Sequence, residues 1–118
     1  MSKKYSMFVG RWQPLHDGHR WLIDQRLKEG KNVLICIREV APSDKNPWTA
    51  DQVKQSITNE YAELIQEGKL RIIKIPDIES INYGRDVGYE VIEHIPPSKV
   101  KKISATKIRE KLKKNGKL

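Results

Sequence analysis

Apolar residues along this chain fall into short continuous runs separated by amphipathic stretches, and that alternation predicts its architecture. Tyr5–Val9 is an apolar run of strand length. Asn32–Ile37 is a second, rich in β-branched residues, of the kind buried on both faces of a parallel sheet. Between them His19–Lys28 reads as a helix closed by Gly30. A polar connection, Ala41–Pro47, leads to Thr49, a good N-cap for a second helix. Its Ala50, Val53, Ile57, Tyr61 and Leu64 recur at helical spacing until Gly68 ends it. Leu70–Ile75 predicts a third strand, Ile78–Tyr83 a fourth, Val87–Ile95 a short helix stopped by Pro96-Pro97, and Val100–Ile103 a last strand. Ser104 then caps a final helix ending near Lys114, with Asn115-Gly116 as its terminator. The order β-α-β-α-β-β-α-β-α, with short connections, predicts an α/β protein. The expected form is a three-layer Rossmann-like fold around a mainly parallel five-stranded sheet, one domain over residues 1–118. Ligands of such folds bind beyond the C-terminal ends of the strands, at the topological switch point.

Composition narrows the class. A hydrophobic content of 37% and a charged content of 32% suit a solvated globular domain of 118 residues. No apolar run approaches the roughly 20 residues of a membrane-spanning helix, and no signal-peptide core follows Met1-Ser2-Lys3-Lys4. The single cysteine, Cys36, sits inside an apolar run and reads as a buried thiol. Together these predict a cytoplasmic protein with no membrane partner. The net charge of +8 is unevenly spread: residues 1–98 carry 14 basic and 14 acidic side chains, whereas 99–118 carry nine Lys/Arg against Glu110. A basic terminal segment can attract nucleic acid, but no run of aromatic residues for base stacking accompanies it, and a solvated helix face explains it equally well. Nucleic acid is therefore not the expected partner.

Candidate chemistry concentrates in Gly10-Arg11-Trp12-Gln13-Pro14-Leu15-His16-Asp17-Gly18-His19. A glycine-punctuated turn between the first strand and the first helix can present backbone N–H groups and positive dipole to a phosphate. Two imidazoles in that turn add donors. A metal pair is the competing reading, yet helical zinc ligands are spaced i, i+4 with a nearby acid, whereas His16 and His19 are three apart. His94 is remote in sequence, so no protein-built metal site is expected.

The same decapeptide resembles the HxGH signature of the nucleotidyltransferase superfamily, which includes cytidylyltransferases and nicotinamide mononucleotide adenylyltransferases. Its Gly-Arg-aromatic-Gln-Pro lead-in is most similar to the archaeal-type adenylyltransferase branch. Ile103-Ser104-Ala105-Thr106-Lys107-Ile108-Arg109 resembles the superfamily's second signature, ISxTxIR, and Asn46-Pro47-Trp48-Thr49-Ala50 its Asn-Pro-aromatic-Thr-Ala entry to the second helix. The cytidylyltransferase form of the second signature is absent, which favours ATP over CTP. The chain is also shorter than the adenylyltransferases usually are.

The resemblance implies nucleotidyl transfer: an acceptor phosphate attacks the α-phosphorus of a nucleoside triphosphate, and pyrophosphate leaves. No enzyme nucleophile is needed, so catalysis is positioning and charge stabilisation. It further implies that His16 and His19 bind triphosphate oxygens, that Gly18 allows close approach, and that Arg109 acts as a catalytic cation. Gly10, Arg11 and Trp12 would line the nucleotide site, with core or pocket wall as the alternative for Trp12. Ser104, Ala105, Thr106 and Lys107 would form a phosphate-binding helix start, and Gly84, Arg85 and Asp86 a nucleotide loop, with a plain turn as the alternative. Arg38 and Trp48 would face the acceptor, with a hydrophobic staple as the alternative for Trp48. Mg²⁺ would arrive with the triphosphate. ATP or CTP, a phosphorylated small-molecule acceptor such as nicotinamide mononucleotide, and a second copy of the chain are the implied partners. A non-catalytic nucleotide-binding module is the rival reading.

Overall fold

The computed structural model describes residues 3–85 and 88–118. Three strands, β1 (Tyr5–Gly10), β2 (Asn32–Glu39) and β3 (Leu70–Pro76), form a parallel sheet in that order. Helix α1 (Asp17–Leu27) connects the first two strands, and α2 (Ala50–Glu60) with α3 (Ala62–Gln66) connects the second and third. Two crossovers in the same direction, each right-handed by the usual rule, place α1 and α2 on one face of the sheet. An ion pair between Arg20 of α1 and Glu60 of α2 joins them there. After β3 the chain runs irregularly to α4 (Ser98–Lys101) and α5 (Ala105–Lys114).

The expected boundaries hold where local chemistry fixes them. Gly30, Gly68 and Gly116 all sit at positive φ, between 70° and 77°. At each, the glycine N–H and the next residue's N–H bond back to the helix: Gly30 to Leu27 and Lys31 to Arg26, for example. That is the Schellman closure, and it favours a residue without Cβ. Thr49 caps α2 in a reciprocal box with Gln52 (2.8 and 3.1 Å). Central strand β2 supplies Val33, Ile35 and Ile37 to the core, where they meet Ile23 of α1, Val53 and Ile57 of α2, and Leu70 and Ile72 of β3.

The five-stranded expectation is corrected: the described residues hold three strands, in an α/β Rossmann-like arrangement. Ile78–Tyr83 forms no ladder. Its polar side chains bond locally instead, Ser80 to Glu79 and Asn82 to Ser80, which competes with strand pairing. Described residues of the expected 87–95 helix are irregular too, and Val87 lies outside the described residues. Gly88 has φ +77°, and Val91 and Ile95 stay about seven-tenths exposed (71% and 69%), so the apolar stripe has no surface to bury against. Val100–Ile103 is replaced by α4, because Pro97 sets the start of a turn whose amides at Val100 and Lys101 bond to the Pro97 carbonyl. The long second helix breaks at Tyr61 into α2 and α3.

Ile35 is fully buried at the centre of β2. Ile35→Ala is expected to cost about 2–5 kcal/mol, through lost burial plus the cavity left behind. Urea unfolding should show a lower midpoint at unchanged slope.

Candidate active site

The decapeptide Gly10–His19 lies where the fold rule puts it, at the C-terminal end of β1, and helix α1 begins two residues earlier than expected. That shift changes what the histidines are. His16 is the N-cap of α1 and His19 is its third residue, and together they form a capping box built from imidazoles. Nδ1 of His16 accepts from the backbone N–H groups of Gly18 (3.0 Å) and His19 (3.4 Å). Nδ1 of His19 accepts from the backbone N–H of His16 (3.2 Å). A backbone amide can only donate, so both Nδ1 atoms are unprotonated and each neutral ring carries its hydrogen on Nε2. The rings stack with centroids 3.7 Å apart.

Two Nε2–H donors thus stand side by side at the positive end of an 11-residue helix. Burial is the main influence holding His19 down at about 4, followed by the charges of His16 and Arg20. His16 is lowered in the same way, by burial and then by Arg20, with Asp17 acting in the opposite direction. The pair is neutral at physiological pH. Gly18 has a local reason: a Cβ there would meet His16 Cε1 at 2.8 Å, so the residue makes room for the capping imidazole. Gly10 does the same for Trp12, whose ring atoms would lie 3.1–3.3 Å from an added Cβ.

Trp12 is part of the core. It is 5% exposed, its indole N–H donates to the Cys36 carbonyl (3.0 Å), and its ring edge packs against His19 with centroids 4.7 Å apart. These contacts hold it at φ 53°, an unfavourable backbone conformation for a bulky residue. Cys36 is a buried thiol, as its apolar setting predicted, and burial raises its pKa.

Gln13 was not among the candidate residues, yet three segments meet on it. Its amide exchanges two hydrogen bonds with the backbone of Trp48 (2.9 and 3.1 Å). Its carbonyl accepts from Arg109 of α5 (2.6 Å). Arg109 is 9% exposed and also reaches Thr106, so its guanidinium is turned inward onto the turn. The only available signal for Gln13 was its place in the lead-in motif. Trp48 is half-buried and packs against the core. Ser104 caps α5 by accepting from the Lys107 amide (3.3 Å), Ala105 opens that helix, and Lys107 is exposed on its first turn. Arg11 is exposed and touches Asn46 (3.3 Å).

Two expected groups stand apart from this cluster. Arg38 is committed elsewhere: it pairs with Asp77 (2.7 Å) and donates to the Ile78 carbonyl (3.2 Å), so its charge is already matched at the exit of β3. Gly84 and Arg85 lie exposed in the irregular segment, with no fourth strand to present them, and Asp86 lies outside the described residues. Among the described residues no cluster of three or more His, Cys, Asp or Glu side chains could hold a metal ion, and no helix is long and apolar enough to cross a membrane.

The imidazole box makes a sign-definite prediction. Between pH 6.5 and about 4 an unfolded histidine binds a proton that folded His19 refuses. Stability should therefore fall as pH falls through that window. Long-range ¹H–¹⁵N spectra are expected to show the Nε2–H tautomer for both His16 and His19 at pH 7, with His19 titrating well below the ordinary imidazole value of 6.5.

No protein-family model matches the chain. Among curated proteins, the nicotinamide-nucleotide adenylyltransferase of Thermococcus sibiricus is 33% identical over 75 residues, covering 61% of this chain and 40% of the relative. That of Thermoplasma acidophilum is 24% identical over 135 residues, covering 93% and 75%. The second alignment is longer than the chain itself, so that relative carries residues this chain lacks. A solved bifunctional NMN adenylyltransferase/ADP ribose pyrophosphatase from Francisella tularensis matches 64% of this chain and 23% of its own at 33% identity, with a TM-score of 0.55. The chain spans about two-fifths of the length of the curated relatives it first matches. In sequence and in fold, the chain is similar to these adenylyltransferases.

Proposed function

We propose that this chain transfers an adenylyl group from ATP to nicotinamide mononucleotide, releasing pyrophosphate. The observation that carries the reading is the pair of neutral Nε2–H donors held at the N-terminus of α1 by their own capping bonds. Nucleotidyl transfer needs such a site. An acceptor phosphate oxygen bonds to the α-phosphorus, the bond from that phosphorus to the bridging oxygen breaks, and the electron pair leaves with pyrophosphate. Donors fixed before the reaction stabilise the charge that spreads over the phosphoryl oxygens without reorganising.

In this reading His19 serves the α-phosphate and His16 the neighbouring oxygens. The start of α5, with Lys107, offers N–H groups and charge to the β- and γ-phosphates. Arg11, exposed beside the turn, supplies a cation to the same triphosphate. Arg109 acts through the turn it braces, from its bond to the Gln13 carbonyl. A divalent cation, Mg²⁺ by preference, rides in on the triphosphate and neutralises its charge, a role that needs no protein-built cage. A solved Francisella relative is described as complexed with AMP and a manganese ion, which supports divalent-metal use. We further propose a cytoplasmic setting, on the reducing environment that a free buried Cys36 suits.

One observation favours a second reading, a nucleotide-binding module without turnover: the sheet has three strands among the described residues, and the segment after β3 leaves Ile81, Tyr83, Tyr89 and Val91 exposed. An acceptor wall built there would be incomplete.

Pyrophosphate release measured for ATP and CTP against a set of phosphorylated acceptors separates these readings. ATP with nicotinamide mononucleotide should give the highest rate. His19→Ala should lower kcat/KM by about 10²–10³, as loss of an oxyanion-type donor does, with the circular dichroism spectrum retained. ATP binding without turnover across the whole set would establish the binding module instead.

A further inference from the structure

Arg20, the residue after the second histidine, has no assigned role, yet among the described residues it makes a two-pronged ion pair with both oxygens of one carboxylate. Its Nε and Nη2 grip both oxygens of Glu60 (2.7 and 2.8 Å), and its Nη1 holds Asp17 (2.8 Å). The three residues link the first turn of α1 to the last residue of α2, 40 positions away in sequence. A two-pronged guanidinium–carboxylate contact fixes direction as well as distance, which a lysine cannot do. We propose that Arg20 is a positioning residue for the histidine turn, clamping the first turn of α1 against α2 and placing a fixed cation beside the imidazole pair.

Geometry makes the clamp consequential. The turn is held by Gln13 and Arg109 and by the Trp12 contacts, and it runs directly into α1. The Gly18 and His19 amides must keep their direction for His16 to remain a cap, and Arg20 follows them immediately in the chain. Burial is the main cause of the low proton affinity of both rings, and the Arg20 charge adds to it. The other charged groups around the pair do not duplicate this. Asp17 opposes it at His16. Arg109 of α5 is turned to Gln13, Arg11 of the preceding loop to Asn46, and the lysines of α4 are exposed while its Val100 carbonyl lies toward Gly18. Glu60 is the partner that keeps the cation in place.

The effect of Arg20 on activity rests on the adenylyl-transfer reading, whereas its effect on the imidazoles does not. The test therefore has two arms on Arg20→Leu, Arg20→Lys and Glu60→Gln in the full chain. By NMR titration, Arg20→Leu should move the His16 and His19 titrations upward toward 6.5, whereas Arg20→Lys should keep them near wild type. In pyrophosphate release with ATP and nicotinamide mononucleotide, Glu60→Gln should lower kcat about tenfold with a smaller change in KM, as lost orientation does. Arg20→Leu should also raise the acid limb of the pH–rate profile. Unchanged histidine titrations in Arg20→Leu would overturn the proposal even if the protein proved inactive on ATP. Wild-type kcat in Glu60→Gln with titrations intact would overturn the clamp. Absence of turnover in the parent chain would overturn the function and leave the titration arm to decide the positioning role.

Discussion

A buried side-chain amide holds the site together. Gln13 lies 4% exposed where the turn after β1, the connection before α2 and the last helix converge. Its amide does for Trp48 what a strand neighbour would do, donating and accepting in one plane. Its backbone carbonyl then receives the Arg109 guanidinium across 96 residues of sequence. A buried polar group is stabilising only when all its partners are present, and here no buried side-chain nitrogen or oxygen among the described residues lacks one. Removing the Gln13 side chain would leave a backbone amide and carbonyl of Trp48 without partners.

The histidine turn is built on that anchor, and it shows how one set of bonds can serve structure and chemistry together. Capping α1 consumes the Nδ1 atom of each imidazole, and the cap thereby decides the tautomer that faces outward. The glycine between the two rings is needed because one of them lies over it. In the proposed reading, stability and phosphate recognition therefore ask for the same residues at the same spacing. Trp12 adds a third constraint, since its ring fixes the face of His19 from within the core while its N–H ties the turn to β2.

Beyond β3 the molecule changes character. Residues 3–76 pack three strands and three helices around one core, whereas the described residues from 77 to 97 carry no helix or strand and leave most of their apolar side chains exposed. Phe8 of β1 is nonetheless stacked by His94, 6.4 Å between centroids, so the irregular segment returns to the sheet before α4.

Sequence alone determined the elements whose causes are local. Apolar periodicity marked β1 to β3, glycines at Schellman positions ended α1, α3 and α5, and side-chain caps began α2 and α5. It also located the histidine turn and implied the superfamily, because signature residues are contiguous there. It overreached at Ile78–Tyr83 and Val100–Ile103, where apolar content resembles a strand but pairing needs a neighbour that only the whole sheet can supply. Tertiary structure decided the rest. Arg109 faces Gln13, Arg38 faces Asp77 and Arg20 faces Glu60, each across 39 or more positions. A guanidinium reads the same in sequence whether it is free for phosphate or matched by a distant carboxylate or carbonyl. Which it is depends on how the chain closes on itself.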